Sequence, residues 1–137
     1  DPSYRGQLLT LTFPLIGNYG VPPETRDDLG LPIYFESESV HITALIVSDY
    51  SAESCHWNQV QSLSQWLKTN NVPALCGIDT RALTKRLREH GAMLGKIVME
   101  TDVEKKVKQI DPNGVNLVNQ VSIKAPKLYT SHKPALL

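Results

Sequence analysis

One seven-residue run constrains this chain more than any other: His41 to Val47, HITALIV. It is β-branched and apolar at alternate positions on both faces, the pattern of a central strand covered on two sides rather than an edge strand facing water. The next thirty residues decide the class. Val60, Leu63 and Leu67 fall at i, i+3 and i+7 with Trp66 on the border, which predicts a helix over Trp57–Thr69. Asn70, Asn71 and Pro73 close that helix, and Ala74 to Ile78 reads as a short buried strand. Strand, helix, strand is the unit of an α/β domain.

The same alternation extends in both directions. Gln7 to Phe13 (QLLTLTF) reads as a strand that Pro14 ends, because proline donates no ladder hydrogen bond. Pro14 to Gly30 holds three glycines and three prolines in seventeen residues and is expected to be a long, functional or interfacial loop. Leu31 to Ser37 is expected to carry a helical turn. Asp79 stands where an N-cap belongs, ahead of a helix over Thr80–His90 with Leu83 and Leu87 inward and Gly91 just past its end. Met93 to Met99 reads as another strand. Thr101-Asp-Val-Glu104 forms a capping box for a short helix with Val103, Val107 and Ile110 as its stripe. From Pro126 the chain is rich in Lys, Pro and Ser and reads as a linker.

Length and charge exclude several function classes. The 137 residues amount to one domain, with 14 basic and 14 acidic side chains. No apolar run approaches the roughly 20 residues of a spanning helix. A neutral total disfavours nucleic acid or an anionic membrane as partner. The balance hides a polar distribution: residues 1–57 carry eight acidic against two basic groups, and the remainder twelve basic against six acidic. Such segregation fits docking against complementary surfaces, or solvated faces that happen to separate. Residue 1 is Asp and no targeting segment is visible, which reads as a piece of a longer polypeptide.

The residues that invite chemistry give little on their own. Cys55-His56 is the obvious nucleophile and base, yet neighbours in sequence point apart, and a structural role is favoured. Two cysteines 21 residues apart, with no C-x-x-C, match no common zinc spacing, and Cys76 is expected to be a small core residue. Gly17-Asn-Tyr-Gly20 could cradle a phosphate on its amides, but it matches neither G-x-G-x-x-G nor a P-loop, and a structural turn is favoured. Arg81, Lys85 and Arg88, at i, i+4 and i+7 with Arg86 beside them, form one basic helix face, either solvated or a docking surface. No catalytic residue and no metal ligand is assigned.

The string Gly77-Ile-Asp-Thr-Arg-Ala-Leu-Thr-Lys-Arg-Leu-Arg-Glu-His-Gly91, with Leu94-Gly-Lys-Ile97 after it, resembles the amino-terminal domain of the small, glutamine-using subunit of carbamoyl phosphate synthetase. Asp1-Pro-Ser-Tyr4 with Gln7, Pro14-Leu-Ile-Gly-Asn-Tyr-Gly20, His56-Trp57, the Leu63–Leu67 stretch and Val121-Ser-Ile-Lys124 extend the likeness in order, closest to the fused eukaryotic forms. The resemblance covers roughly Asp1 to Tyr129 and leaves 130–137 as a linker toward a class I amidotransferase (glutaminase) domain.

The resemblance implies an α/β fold of the three-layer β/β/α swivelling type. It also implies a part in making carbamoyl phosphate from glutamine, bicarbonate and ATP, for pyrimidine or arginine synthesis. The parent's ATP and divalent metal belong to a large synthetase part, and the segment itself is expected to be inactive and without cofactor. Ser3, of the D-P-S-Y run, is implied to reach glutamine held by the neighbouring glutaminase domain. Arg81, Lys85 and Arg88 are the expected interface to the synthetase part. A cytoplasmic location is implied, or a mitochondrial one if the parent is an ammonia-dependent relative in which this domain is structural or regulatory. The family's domain starts some forty residues earlier, so its first strands are missing here and sheet edges are expected to be left unpaired.

Overall fold

Helix and strand follow from where backbone hydrogen bonds can be satisfied locally and where they need a distant partner. A computed structural model describes residues 1–102 and 111–129. The helix expected from Thr101–Glu104 onward, with Val103, Val107 and Ile110, and the linker 130–137 lie outside the described residues; Glu100–Asp102 is a single 3-10 turn.

Three parallel strands make the main sheet, in the order β1 (Leu8–Thr10), β3 (Ala44–Ile46), β5 (Ala74–Leu75). Leu8 lies opposite Ala44 and Thr10 opposite Ile46, while Leu45 lies opposite Ala74. The central strand is the one expected from HITALIV, and all three of its residues are buried. Ladder bonds continue past it, from Leu11 N–H to Ile46 O at 3.0 Å and from Val47 N–H to Leu75 O at 2.9 Å. Beyond Pro14 the chain pairs again: β2 (Leu15–Ile16) runs parallel to β4 (Asp49–Tyr50), and the Ser48 hydroxyl donates to Pro14 O across the break. The loop expected over Pro14–Gly30 therefore contains a strand. Parallel neighbours require crossovers. The one from β3 to β5 is helix α1 (Leu63–Thr69), whose Leu67 packs with Leu45, Val47 and Val72 as the core.

Several expectations are corrected. Helix α1 begins at Leu63 rather than Trp57, because Val60 and Gln61 spend their backbone elsewhere. Val60 N–H donates to Val21 O, and Gln61 O accepts from Val21 N–H, both at 2.9 Å. Ser62 then starts the helix with a capping box: its hydroxyl accepts from Gln65 N–H, and Gln65 Oε1 accepts from Ser62 N–H. Val60 thus leaves the apolar stripe and is exposed. At the other end Asn70 caps the helix and Asn71 takes φ 55, a left-handed conformation asparagine tolerates.

Leu31 to Ser37 forms no helical turn, because Leu31 O accepts from Asp27 N–H and Ile33 N–H donates to Thr25 O, making this stretch the return arm of a hairpin. Strand β5 is exposed, not buried, since among the described residues it pairs on one side only, and Cys76 beyond it is exposed as well. Met93 to Met99 joins no ladder among the described residues; Gly95 passes close to β1, where an added Cβ would stand 3.3 Å from Leu8 Cδ1.

Helix α2 (Thr80–His90) has the predicted bounds, with the Asp79 carboxylate accepting from Ala82 N–H at 2.9 Å and Gly91 at its end. Leu83 and Leu87 face inward only to half-burial and stand outside the core cluster. A five-residue helix, α3 (Leu117–Val121), capped by Asn116, was not anticipated.

Candidate functional site

Ser3 sits in a single 3-10 turn, Pro2–Tyr4, at the entrance to β1. Proline at the first turn position presets φ, and the Asp1 carboxylate caps the turn by accepting from Ser3 N–H at 2.8 Å. From the other side Gln7 Nε2 donates to Ser3 O at 3.2 Å. The backbone of Ser3 is thus fixed by two side chains. Its own side chain is exposed, and its hydroxyl bonds to no other described residue. The cap is Asp1, so capping of the turn does not use the serine oxygen.

Arg81, Lys85 and Arg88 are all exposed along one face of α2, and no ion pair engages them among the described residues. The row is therefore open, at a distance along the chain from Ser3. Nothing in the described fold brings Ser3 and this row into one pocket.

The Gly17–Gly20 turn is structural. Gly17 has φ +101, and a Cβ there would stand 2.7 Å from the Tyr50 ring and 2.8 Å from Ser51 O. Gly20 N–H is spent inside the turn, on Gly17 O, and Asn18 O accepts from Cys55 N–H. Nor is Cys55-His56 a catalytic pair. Cys55 is exposed, while His56 Nδ1 accepts from Asn58 N–H at 3.2 Å and its ring meets Tyr19 edge-on at 5.3 Å. No hydrogen bond joins the two among the described residues. Among those residues, too, no three His, Cys, Asp or Glu side chains converge on a point that could hold a metal ion. No described helix is long and apolar enough to cross a membrane.

Sequence reasoning missed a cavity of about 350 Å³ between α1 and the hairpin. Leu9, Leu11, Ile42 and Leu63 line it, with Phe35 and Trp66 stacked at 5.9 Å on one wall. Arg26 and Glu38 line it too, joined as a clip. Arg26 holds both oxygens of Glu38, at 2.9 and 2.7 Å, and donates to Gly30 O at 2.7 Å. The hydrogen bond from Arg26 keeps the Glu38 carboxyl below the ordinary carboxylate range. Twelve residues separate the two charges, too far for any local periodicity to pair them. His41 also lines the cavity; its Nε2 meets the Ser37 hydroxyl at 2.8 Å, and its Nδ1 is buried without a hydrogen-bond partner among the described residues. Burial, with Arg5 adding to it, pushes the imidazole below its usual pKa.

Comparison with known proteins adds what geometry does not. The family described as carbamoyl-phosphate synthase small chain, CPSase domain, matches residues 1–97. Multifunctional protein CAD of Squalus acanthias is 50% identical over 129 residues, 94% of this chain and 6% of that protein. The carbamoyl phosphate synthase arginine-specific small chain of Phaeosphaeria nodorum is 48% identical over 92% of this chain and 27% of its own length. The mitochondrial carbamoyl-phosphate synthase (ammonia) of Aquarana catesbeiana is 52% identical over 98% of this chain and 9% of its own. The chain thus spans under a tenth of the long relatives and about a quarter of the separate small chain.

Proposed function

The chain belongs to the carbamoyl-phosphate synthase small-chain family, and from that premise we propose that it is the non-catalytic interaction domain of a carbamoyl phosphate synthetase. In this reading residues 1–129 are the amino-terminal domain of the small-chain region, of the three-layer β/β/α swivelling type, and 130–137 lead toward a glutaminase domain. The parent makes carbamoyl phosphate from glutamine, bicarbonate and ATP, for pyrimidine or arginine synthesis in the cytoplasm. ATP and a divalent metal act in the synthetase part. This domain contributes Ser3 to the glutamine held next door, and the exposed row of Arg81, Lys85 and Arg88 to docking on the synthetase part.

The observation that carries the reading is the state of Ser3: a backbone fixed by Asp1 and Gln7, and a hydroxyl with no bond to another described residue. A hydroxyl donates one hydrogen bond and accepts others, so it can orient a substrate amino acid without doing chemistry. A hydrogen bond to a charged group contributes about 1.5–3 kcal/mol. Ser3→Ala in the full-length parent is therefore expected to raise the KM for glutamine roughly tenfold or more, each factor of ten being about 1.4 kcal/mol. Ammonia-dependent synthesis bypasses the glutaminase site and should be unchanged. Equal losses with both nitrogen sources mean folding damage, and an unchanged KM removes Ser3 from the site.

A second reading has its own support, the 52% identity to a mitochondrial, ammonia-named relative. There the domain is structural or regulatory, and the parent makes carbamoyl phosphate from ammonia in mitochondria. A parent that shows no glutamine-dependent synthesis at all, with or without Ser3, selects it.

A further inference from the structure

The turn that carries Ser3 is anchored to the sheet at one end only. Gly6 N–H donates to His41 O at 3.1 Å and Thr43 N–H to Gln7 O at 2.8 Å, which fixes the point where the chain enters β1. Ahead of that point the bonds stay within the turn: Tyr4 N–H to Asp1 O, Arg5 N–H to Pro2 O, and the Asp1 and Gln7 side chains on the Ser3 backbone. A single helical turn fixes more backbone freedom than its few bonds offset, so it needs a hold from outside.

Helix α3 supplies that hold. Arg5 Nε donates to Gln120 Oε1 at 3.1 Å, across 115 residues of chain. Among the described residues this is the one hydrogen bond that joins 111–129 to residues 1–102. The other bonds of α3 are internal: the Asn116 side chain accepts from Asn119 N–H, and the Ser122 hydroxyl donates to Val118 O. No residue of α3 is buried, so packing in the core does not place the helix either. Pro2, Gln120 and Val121 line one cavity, which sets the turn and the helix on facing walls.

We infer that Arg5 and Gln120 are positioning residues for Ser3: the bond between them sets where the serine hydroxyl stands when glutamine binds. The inference rests on the glutamine role of Ser3 proposed above, and it adds that the control comes from α3. That helix is the last described element before the linker proposed to lead to the glutaminase domain. The segment running toward the domain that holds glutamine thus grips the turn that reaches the same glutamine. Hydrogen bonds weaken steeply as they lengthen and bend, so a small shift of the turn is felt in binding.

The test uses the full-length parent, assayed with glutamine and with ammonia. Gln120→Ala removes the acceptor and should raise the KM for glutamine roughly threefold to tenfold, the range of one lost hydrogen bond, with kcat held. Gln120→Glu keeps an oxygen for the guanidinium and should bring the KM back to that of the unaltered enzyme. Ammonia-dependent synthesis should hold in both. A double-mutant cycle with Ser3→Ala decides the route: in that background Gln120→Ala should add nothing, because it acts through the hydroxyl already removed. A further rise in KM there overturns the inference, since α3 would then act on glutamine by another path. So does an unchanged KM in Gln120→Ala with Ser3 intact, a Gln120→Glu enzyme no better than Gln120→Ala, or equal losses with both nitrogen sources. An unchanged KM in Ser3→Ala overturns the proposed role of Ser3 and this inference with it. A raised KM in Ser3→Ala beside an unaffected Gln120→Ala overturns this inference alone.

Discussion

Replacing Asp79 by Ala tests the local logic of α2, the helix that carries the basic row. The first-turn N–H groups of a helix have no intrahelical acceptor, and here the Asp79 carboxylate takes one of them, from Ala82 at 2.9 Å. No other acidic residue lies in the first turn, so Asp79 also supplies the one side-chain negative charge at the positive end of the helix dipole. Loss of the cap hydrogen bond costs about 0.5–2 kcal/mol, and loss of the charge about 0.3–1 kcal/mol. Together roughly 1–2 kcal/mol is expected, the two effects overlapping. Tertiary packing offers little to offset this, because Leu83 and Leu87 are only half-buried and outside the core. The loss should therefore appear first as local opening, with amides from Leu83 onward exchanging about 5–30 times faster. Asp79→Asn keeps the acceptor without the charge and should recover most of the loss. A denaturant melt of Asp79→Ala that shifts by under about 0.5 kcal/mol, the scale of an ordinary surface change, would show that the carboxylate does not hold the helix.

Gly20→Ala, at φ +62 and facing Gln59 Oε1 at 2.5 Å, should destabilise the chain by about 1–3 kcal/mol, read as a lower melting midpoint. Leu67→Ala removes the α1 contribution to the core and should cost about 2–5 kcal/mol in a denaturant titration. His41 has a depressed pKa in the folded chain, so the unfolded chain binds its proton first. Stability present above the ordinary histidine pKa, about 6.5, should fall as pH drops through it toward the folded value, and His41→Gln should flatten that fall in melts between neutral and mildly acid pH.

What the sequence determined by itself is what short-range rules govern. The centre of HITALIV, Ala44–Ile46, was legible as a buried strand because a β-branched run apolar on both faces suits a strand covered on two sides. Asp79 and Gly91 bounded α2 by capping and backbone conformation alone, and the likeness to the family ran through several strings in order, no single one carrying it. Tertiary structure decided the rest, because it rested on partners many residues away. Trp57–Gln61 reads as helix until Val21 claims its backbone. Leu31–Ile33 reads as a turn of helix until residues 25 and 27 claim theirs. Ala74–Ile78 reads as a buried strand, but burial depends on what lies across the far edge of a strand, which no periodicity encodes. The Arg26–Glu38 clip and the Tyr19–His56 contact formed for the same reason: backbone pairing brought distant segments together, and their side chains then met.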